Sequence, residues 1–336
     1  MTDTNILQDN QEHPFAKFVR ILGKGKKGSR SLSEEEAFEA MSMILKGEAE
    51  DLQVGAFLML LRVKEESKEE ICGFVKAAQS CNKAPESIKA DIDWSSYAGK
   101  RRHLPWFLFS TFILAQAGYR VFMHGASGHT ANRLYTENIL TALNIPLANN
   151  WGDAKTHLDD RNFAYMPLRN INPKLAEMIN MRHILGLRSP VHSFARLLNP
   201  LKASTVLQGI FHPPYSGLHQ ESGALLGYET VGVIKGEGGE IECNPDNILN
   251  AKYSIKGELS EETWPAVFPR RHVKAQDMTI EYMRSFWNSD IDDEYARAAI
   301  ISTAAFALRS LDMSLNQDAA LEKAETLWNN RDKSFL

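Results

Sequence analysis

The amino-acid sequence predicts an α/β protein, with a small N-terminal all-helical domain and a larger α/β domain built on a mainly parallel central sheet. Two capping boxes, Ser33 with Glu36 and Ser67 with Glu70, each precede apolar residues at helical spacing. After residue 88, strand patterns at 119–123, 163–166, 205–211 and 230–235 alternate with helical patterns. Strands that alternate with helices are typical of parallel sheets covered by helices.

Local residues set the predicted boundaries of the other elements. Pro105 suits the first turn of a helix and Gly118 suits its end. Further helices are predicted at 133–143, 217–226, 293–311 and 317–330. Residues 1–12 are polar and predict a disordered tail, and residues 13–88 predict the helical domain. The α/β domain follows from residue 89.

Composition narrows the class of protein. The chain has 336 residues, of which 43% are hydrophobic and 24% charged, values ordinary for a globular protein in water. The three cysteines show neither disulfide nor metal spacing, which favours a reducing compartment. No apolar run is long enough to span a membrane, and the polar start does not resemble a signal peptide. We therefore expect a cytoplasmic protein.

Basic residues are clustered, although the net charge is −4. The total argues against nucleic-acid binding, but local clustering is the better guide. The second cluster precedes the helix that begins at Pro105, where a helix N-terminus favours phosphate. A charge run such as the first also suits a solvated turn, and that alternative stays open. The clusters are Lys24, Lys26, Lys27 and Arg30; Lys100, Arg101, Arg102 and His103; Arg196 and Lys202; and Arg270, Arg271, His272 and Lys274.

Aromatic residues flank the second cluster. Tyr97, Trp106 and Phe107 would stack on unpaired bases if they were exposed. The alternative for Trp106 and Phe107 is burial in the core of the helix that starts at Pro105. The sequence leaves both alternatives open.

Three stretches resemble the anthranilate phosphoribosyltransferase family. They are residues 47–77, residues 181–200 and HGASG at 124–128. The resemblance implies a segment at about 169–190 that returns to the helical domain, so that the α/β domain comprises 89–168 and 191–336. It also implies a homodimer formed through the helical domain. A possible acceptor pocket would contain Arg182, at the place of the family's aromatic-acid-binding arginine, and His124.

The same comparison shows departures at the phosphate and metal elements. The family's Gly-Thr-Gly-Gly-Asp loop corresponds to YAGKR at 97–101, which keeps one glycine. Its Lys-His-Gly-Asn element corresponds to MHGA at 123–126, and its Asp-Glu pair to KGEGGEIE at 235–242. Glu237, Glu240 and Glu242 are weak candidates for Mg²⁺. The alternative is a solvated glycine-rich turn.

These departures favour a nucleic-acid-binding function. The pattern YAGKRR with LPW and MHG resembles a divergent branch of the family, the YbiB type, whose members are described as nucleic-acid-binding. The leading hypothesis is a homodimer that binds DNA or RNA, preferentially single-stranded, with low sequence specificity and no cofactor. The predicted phosphate contacts are Lys24, Lys26, Lys27, Arg30, Lys100, Arg101, Arg102, His103, Arg270 and Arg271.

Two other functions remain open at the level of sequence. One is an active phosphoribosyltransferase that uses phosphoribosyl pyrophosphate and Mg²⁺, with an aromatic acceptor such as anthranilate near Arg182 and His124. A place in tryptophan biosynthesis would follow from the resemblance only. The other is an inactive scaffold for protein interactions.

Overall fold

The computed structural model describes residues 12–25, 27–272 and 277–336. The predicted disordered tail lies outside the described residues except for Glu12, and Lys26 lies outside them as well. The N-terminal part is helical, as the sequence predicts. Its helices are α1 (Ala16–Gly23), α2 (Glu34–Lys46), α3 (Asp51–Lys64) and α4 (Lys68–Ser80).

Both predicted capping boxes are present and fix the start of α2 and α4. The Ser33 hydroxyl accepts the N–H of Glu36, and the Glu36 side chain accepts the N–H of Ser33. Ser67 and Glu70 repeat this exchange at α4. The two helices pack closely at Gly73, where an added Cβ would lie 2.4 Å from the carbonyl oxygen of Glu34. Only glycine permits this approach.

The remaining chain forms one seven-stranded sheet. The strand order is β3-β2-β1-β4-β5-β6-β7, parallel as far as β5 and antiparallel from β5 to β7. The mainly parallel sheet is thereby confirmed. The strands are β1 (Ile92–Ser96), β2 (Val121–Gly125), β3 (Phe163–Pro167), β4 (Thr205–Ile210), β5 (Thr230–Lys235), β6 (Leu249–Ile255) and β7 (Glu258–Trp264).

Helices cover both faces of the sheet. The helix predicted from residue 133 begins three residues later, because Leu134 pairs with Lys100 in an isolated β-bridge. These helices are α5 (Phe107–Gln116), α6 (Thr136–Ala142), α7 (Trp151–Arg161), α8 (Leu168–Ile171), α9 (Pro173–Asn180), α10 (Arg182–Leu185), α11 (Val191–Phe194), α12 (Pro214–Leu225), α13 (Ile280–Asn288), α14 (Glu294–Leu311) and α15 (Gln317–Asn329), with 3₁₀ turns at Ala195–Leu197, Glu237–Gly239 and Lys333–Phe335.

Two main apolar cores organise the molecule. The larger lies between the sheet and helices α5, α13, α14 and α15. The second joins the N-terminal helices to residues 168–198, whose Leu175, Ile179 and Phe194 are buried beside Phe57 and Phe74. The rings of Phe74 and Phe194 are 5.4 Å apart. In the described part of the chain, no helix combines the length and apolar character needed to cross a bilayer.

Candidate functional site

A cleft of about 1680 Å³ lies beyond the carboxyl ends of β1, β4 and β5. Ligands of open parallel sheets bind at this edge, because the loops that follow neighbouring strands meet there. The walls come from residues within 100–103, 210–216, 235–250 and 261–272, together with Arg133, Lys252 and Tyr295. The cleft therefore brings together the loop at 97–101, which corresponds to the family's phosphate loop, and the segment at 235–242, which corresponds to its metal-binding pair.

Glu240 fills the turn that follows β1. Its Oε1 accepts the backbone N–H groups of Ala98 and Gly99, both at 2.6 Å, and its Oε2 accepts the Ser96 hydroxyl at 2.7 Å. Gly99 has a φ of 68°, a left-handed conformation that helps successive N–H groups converge on one anion. Glu240 is completely buried. A carboxylate of the chain itself thus occupies donors that a bound phosphate would use.

Glu237 occupies the next two donors of the same loop. Its Oε1 accepts the backbone N–H groups of Arg101 at 2.9 Å and Arg102 at 2.7 Å, and its Oε2 lies 3.2 Å from Lys100 Nζ. Burial alone would raise the pKa of Glu237, but the Lys100 ammonium and the two N–H groups hold that pKa below its ordinary value. Glu237 is therefore ionised at neutral pH.

Lys100 and Glu242 form an ion pair beneath this loop. Each is only 2% exposed, and Glu242 also accepts the N–H of Phe107 at 2.9 Å, in the first turn of α5. Burial would lower the pKa of Lys100, but the carboxylates of Glu242 and Glu237 raise it, so the amine stays charged. Lys100, predicted as a phosphate contact, is therefore corrected to a buried partner of two carboxylates. We call Lys100, Glu237, Glu240 and Glu242 the inner layer.

The inner layer does not fit Mg²⁺. Its three carboxylates are bound to N–H groups, to a hydroxyl and to the Lys100 ammonium, which already supplies a cation. In residues 12–25, 27–272 and 277–336, no group of three His, Cys, Asp or Glu side chains is placed to hold a metal ion. The weak Mg²⁺ candidates Glu237, Glu240 and Glu242 are therefore corrected to acceptors of hydrogen bonds and ion pairs within the chain. The solvated-turn alternative is wrong for Glu240 and Glu242, because both are buried.

A second set of charges, all positive, lines the same cleft and is exposed to solvent. Arg101, Arg102, Lys235 and Arg271 have exposed side chains on its wall. None of them forms an ion pair with another described residue, whereas Lys100 forms two. We call these four residues the outer row. Arg270 is exposed too, but it does not line the cleft.

His103 is part of the wall without adding positive charge. Its ring stacks on Tyr295, with centroids 4.2 Å apart and planes inclined by 16°. Burial, and then the nearby charge of Lys100, lower the pKa of His103, so the imidazole is neutral at pH 7. His103, predicted as a phosphate contact, is therefore corrected to a neutral aromatic contact of Tyr295.

Comparison with known proteins finds similar sequences and a similar fold. The family described as "Glycosyl transferase family, helical bundle domain" matches residues 18–81. The uncharacterized protein YbiB of Escherichia coli is 28% identical over 69% of this chain and 73% of its own length. The anthranilate phosphoribosyltransferase of a Geobacillus species is 29% identical over 68% of this chain and 67% of its own.

A solved structure gives the same fold. Anthranilate phosphoribosyltransferase of Saccharomyces cerevisiae, in complex with PRPP and Mg, aligns with a TM-score of 0.76 over 94% of this chain and 93% of its own, at 15% identity. The chain therefore has the fold of anthranilate phosphoribosyltransferase, and its sequence is similar to that family. The predicted resemblance, with its YbiB branch, is confirmed.

The first basic loop, at residues 24–30, does not line the cleft in its described part. Lys24 and Lys27 are exposed, and the Arg30 guanidinium makes a two-pronged contact with Glu36 of α2 at 2.6 and 2.7 Å. None of the described residues of this loop lines the cleft. Three of the predicted phosphate contacts, Lys24, Lys27 and Arg30, are therefore not brought together with the cleft, and the remaining member of the loop, Lys26, lies outside the described residues.

The aromatic residues of the loop after β1 are in the core. Tyr97, Trp106 and Phe107 are each 1% exposed, so the core alternative is confirmed for Trp106 and Phe107. They offer no face to a base, and the stacking role proposed for them is wrong. The exposed aromatic side chain of the cleft is Phe211. Sequence analysis missed it because the predicted strand at 205–211 included it.

The two predicted acceptor residues have different environments. His124 is wholly buried between the Tyr97 hydroxyl at 2.7 Å and Asp93 at 3.0 Å. Arg182 donates to the carbonyl of His129 and the hydroxyl of Thr130, both at 2.7 Å. The structure corrects His124 to an internal hydrogen-bonding residue, because neither ring nitrogen is available. Arg182 remains a candidate ligand.

Arg182 belongs to a half-buried basic group that sequence analysis did not single out. Burial, then the charges of Arg133, Arg196 and Arg182, lower the pKa of Arg188 to about 10. In the described part of the chain, neither Arg182 nor Arg188 has an acidic partner within salt-bridge distance. Such a group attracts anions. The RSP sequence at 188–190 does not predict this cluster, because the fold brings Arg188 close to arginines that are distant in the sequence, such as Arg133.

Proposed function

We propose that this chain binds nucleic acid through the outer row of the cleft. One observation carries the proposal. The backbone donors suited to a small phosphate ligand are occupied by Glu237 and Glu240, while the side chains of Arg101 and Arg102 stay exposed on the cleft wall. Long cationic side chains on an open wall suit phosphates spaced along a polymer.

The chemistry of these contacts defines the expected affinity. Arginine binds phosphate through two parallel N–H groups, and such contacts carry no sequence information. Binding is therefore weakly sequence-specific and falls with salt, despite the net charge of −4. No cofactor is needed for it. The cytoplasm supplies such ligands and keeps thiols such as the exposed, unpaired Cys81 reduced.

A matched pair of variants tests the proposal. Binding of a fluorescein-labelled 20-nucleotide DNA is measured by anisotropy at several KCl concentrations. Arg101→Glu with Arg102→Glu should weaken binding strongly and make the slope of log affinity against log salt shallower by about 0.7 per lost single-strand contact. The control, Lys24→Glu with Lys27→Glu, changes net charge equally on a loop outside the cleft. Equal losses in both variants, or no binding by the wild type at 20 mM salt, would refute the proposal.

The second candidate is a phosphoribosyltransferase. It is favoured by the basic group of Arg182 and Arg188, which suits a small anionic acceptor or phosphate. The relatives that carry this name point the same way. Against it, the donors for pyrophosphate and the carboxylates for Mg²⁺ are engaged within the chain. Calorimetric titration with phosphoribosyl pyrophosphate, with and without Mg²⁺, decides: saturable, Mg²⁺-dependent binding that Arg182→Ala reduces would establish this function.

We also propose a homodimer formed through the helical part. Leu52 of α3 is 89% exposed and Ile184 of α10 is 74% exposed, and these helices are neighbours, since an added Cβ on Gly55 would lie 4.0 Å from Leu185. Exposed apolar groups of this kind mark association surfaces. Light scattering should give twice the chain mass, and Leu52→Glu with Ile184→Glu should give the monomer mass. A wild-type monomer at micromolar concentration would refute the dimer.

A further inference from the structure

Phe211 is the exposed aromatic side chain of the cleft. It follows β4 directly, is 52% exposed, and lines the same cleft as Lys235, Arg101 and Arg102. Its ring lies edge-on to His212, with centroids 4.8 Å apart. A large apolar side chain left in water loses the stabilisation that burial would give it. Its place among unpaired cations points to a ligand that has both apolar faces and negative charge.

The backbone around Phe211 is held in place. Pro213 and Pro214 follow His212 and begin α12, so two successive φ angles are fixed. The next residue, Tyr215, donates its hydroxyl to Glu66 at 3.3 Å, which ties the segment to the N-terminal helices. A side chain presented by a fixed backbone loses less conformational entropy on binding. The ring is therefore a preformed contact surface.

Only an unpaired base can use this surface. In a duplex the base faces are covered by their neighbours, so a ring on a cleft wall reaches phosphate and sugar alone. In a single strand each base has a free face that stacks on aromatic rings, while cations follow the backbone. The outer row, which lines the same cleft, supplies those cations.

We propose that Phe211 stacks on an unpaired base and thereby selects single-stranded over double-stranded nucleic acid. The inference rests on the proposed function of the cleft and assigns it a ligand class. Phe211 takes the stacking role that Tyr97, Trp106 and Phe107 cannot have, because all three are buried. The outer row contacts phosphates in both single-stranded and double-stranded nucleic acid, whereas the Phe211 ring stacks only on the bases of a single strand.

The test compares two ligands and three variants. Anisotropy is measured with labelled 20-nucleotide oligodeoxythymidylate and with a labelled 20-base-pair duplex at one salt concentration. Phe211→Ala should weaken single-strand binding roughly tenfold, the size of one lost base–aromatic stack, and leave duplex binding unchanged. Phe211→Trp should keep single-strand binding. The control is Leu259→Ala, a similarly exposed apolar residue (50%) on β7 outside the cleft, which should change neither.

Each failure has its own meaning. If the wild type binds both ligands and Phe211→Ala weakens both equally, or weakens neither, Phe211 does not stack and the inference is overturned while the proposed function stands. If the wild type binds neither ligand at low salt, the proposed function of the cleft fails, and the inference with it. Because Phe211 is half exposed and contributes little to the core, its variants should unfold at the wild-type temperature.

Discussion

The inner layer and the outer row meet in the loop that follows β1, where adjacent basic side chains have opposite environments. Lys100 is 2% exposed and bound to two carboxylates, whereas the adjacent Arg101 and Arg102 are exposed and lack a described ion-pair partner. A buried charge must be neutralised within the fold, because water cannot solvate it. An exposed cation is solvated and remains available to a ligand. Of three consecutive basic residues, one is thus held in a buried ion pair, and the two others carry the proposed binding surface.

Replacing Lys100 tests the inner layer most severely. Lys100→Met keeps the length of the side chain but leaves Glu242 buried without its cation. Breaking a buried ion pair from one side costs about 3–5 kcal/mol, so the free energy of unfolding should fall by that amount. Urea denaturation measures it. The control, Lys235→Met, removes an exposed cation of the outer row and should change stability by less than about 0.5 kcal/mol. Equal stabilities for the two variants would contradict this division.

A smaller effect on the free energy of unfolding is expected from pH, through a buried histidine outside the inner layer. His219 is buried on α12, and burial, with the nearby charge of Arg196, lowers its pKa to about 3. The folded pKa lies below the unfolded value of about 6.5, so the unfolded chain binds more protons in this range. Stability from His219 is complete above pH 6.5 and is lost as the pH falls towards the folded pKa. The loss reaches about 3 kcal/mol by pH 4.

The His219→Gln variant isolates that contribution. The variant should lose less stability than the wild type between pH 6.5 and pH 4, when urea denaturation is repeated across that range. Part of the slope should remain, because burial also lowers the pKa of His129, to about 4, and that of His192. Parallel curves for variant and wild type would show that His219 accepts a proton in the folded state without penalty.

Glu240 should contribute less than Lys100, because its replacement can keep some of its hydrogen bonds. Glu240→Gln retains an acceptor for the N–H groups of Ala98 and Gly99 but removes the negative charge that strengthens both. The free energy of unfolding should fall by about 1–3 kcal/mol, measured in urea. Glu258→Gln, an exposed residue at the start of β7, is the control and should have no effect. An unchanged midpoint for both would mean that the charge of Glu240 is not needed to close the loop.

The sequence predicts the parts of this fold that depend on local order. The prediction is right for the capping boxes of α2 and α4 and for both ends of β5. Each of these features depends on residues that are close together in the sequence. Strand β1 escapes prediction, since its IDWSS sequence is polar and yet fully buried. Its Ser96 is satisfied by Glu240, which lies 144 positions away.

The same limit applies to the site. Lys100, Arg101 and Arg102 are equivalent in the sequence, and only the partner of Lys100, 142 positions distant, separates them in the structure. The resemblance identified the loops that form the cleft, but it does not reveal which charges are neutralised inside it. Phe211 was missed for a related reason: strand propensity favours a buried aromatic residue, and the strand in fact ends one residue earlier.

The smallest expected effect on stability belongs to the outer row and completes the comparison. Arg101→Glu with Arg102→Glu changes the net charge by four units, yet both side chains are exposed and their backbone N–H bonds to Glu237 are kept. Substitutions of exposed residues usually change stability by less than about 0.5 kcal/mol each. Urea denaturation of this variant should therefore nearly superimpose on the wild type, while oligonucleotide binding is lost. A large loss of stability would place these side chains with Lys100 in the inner layer, and the binding defect of the variant would then reflect unfolding.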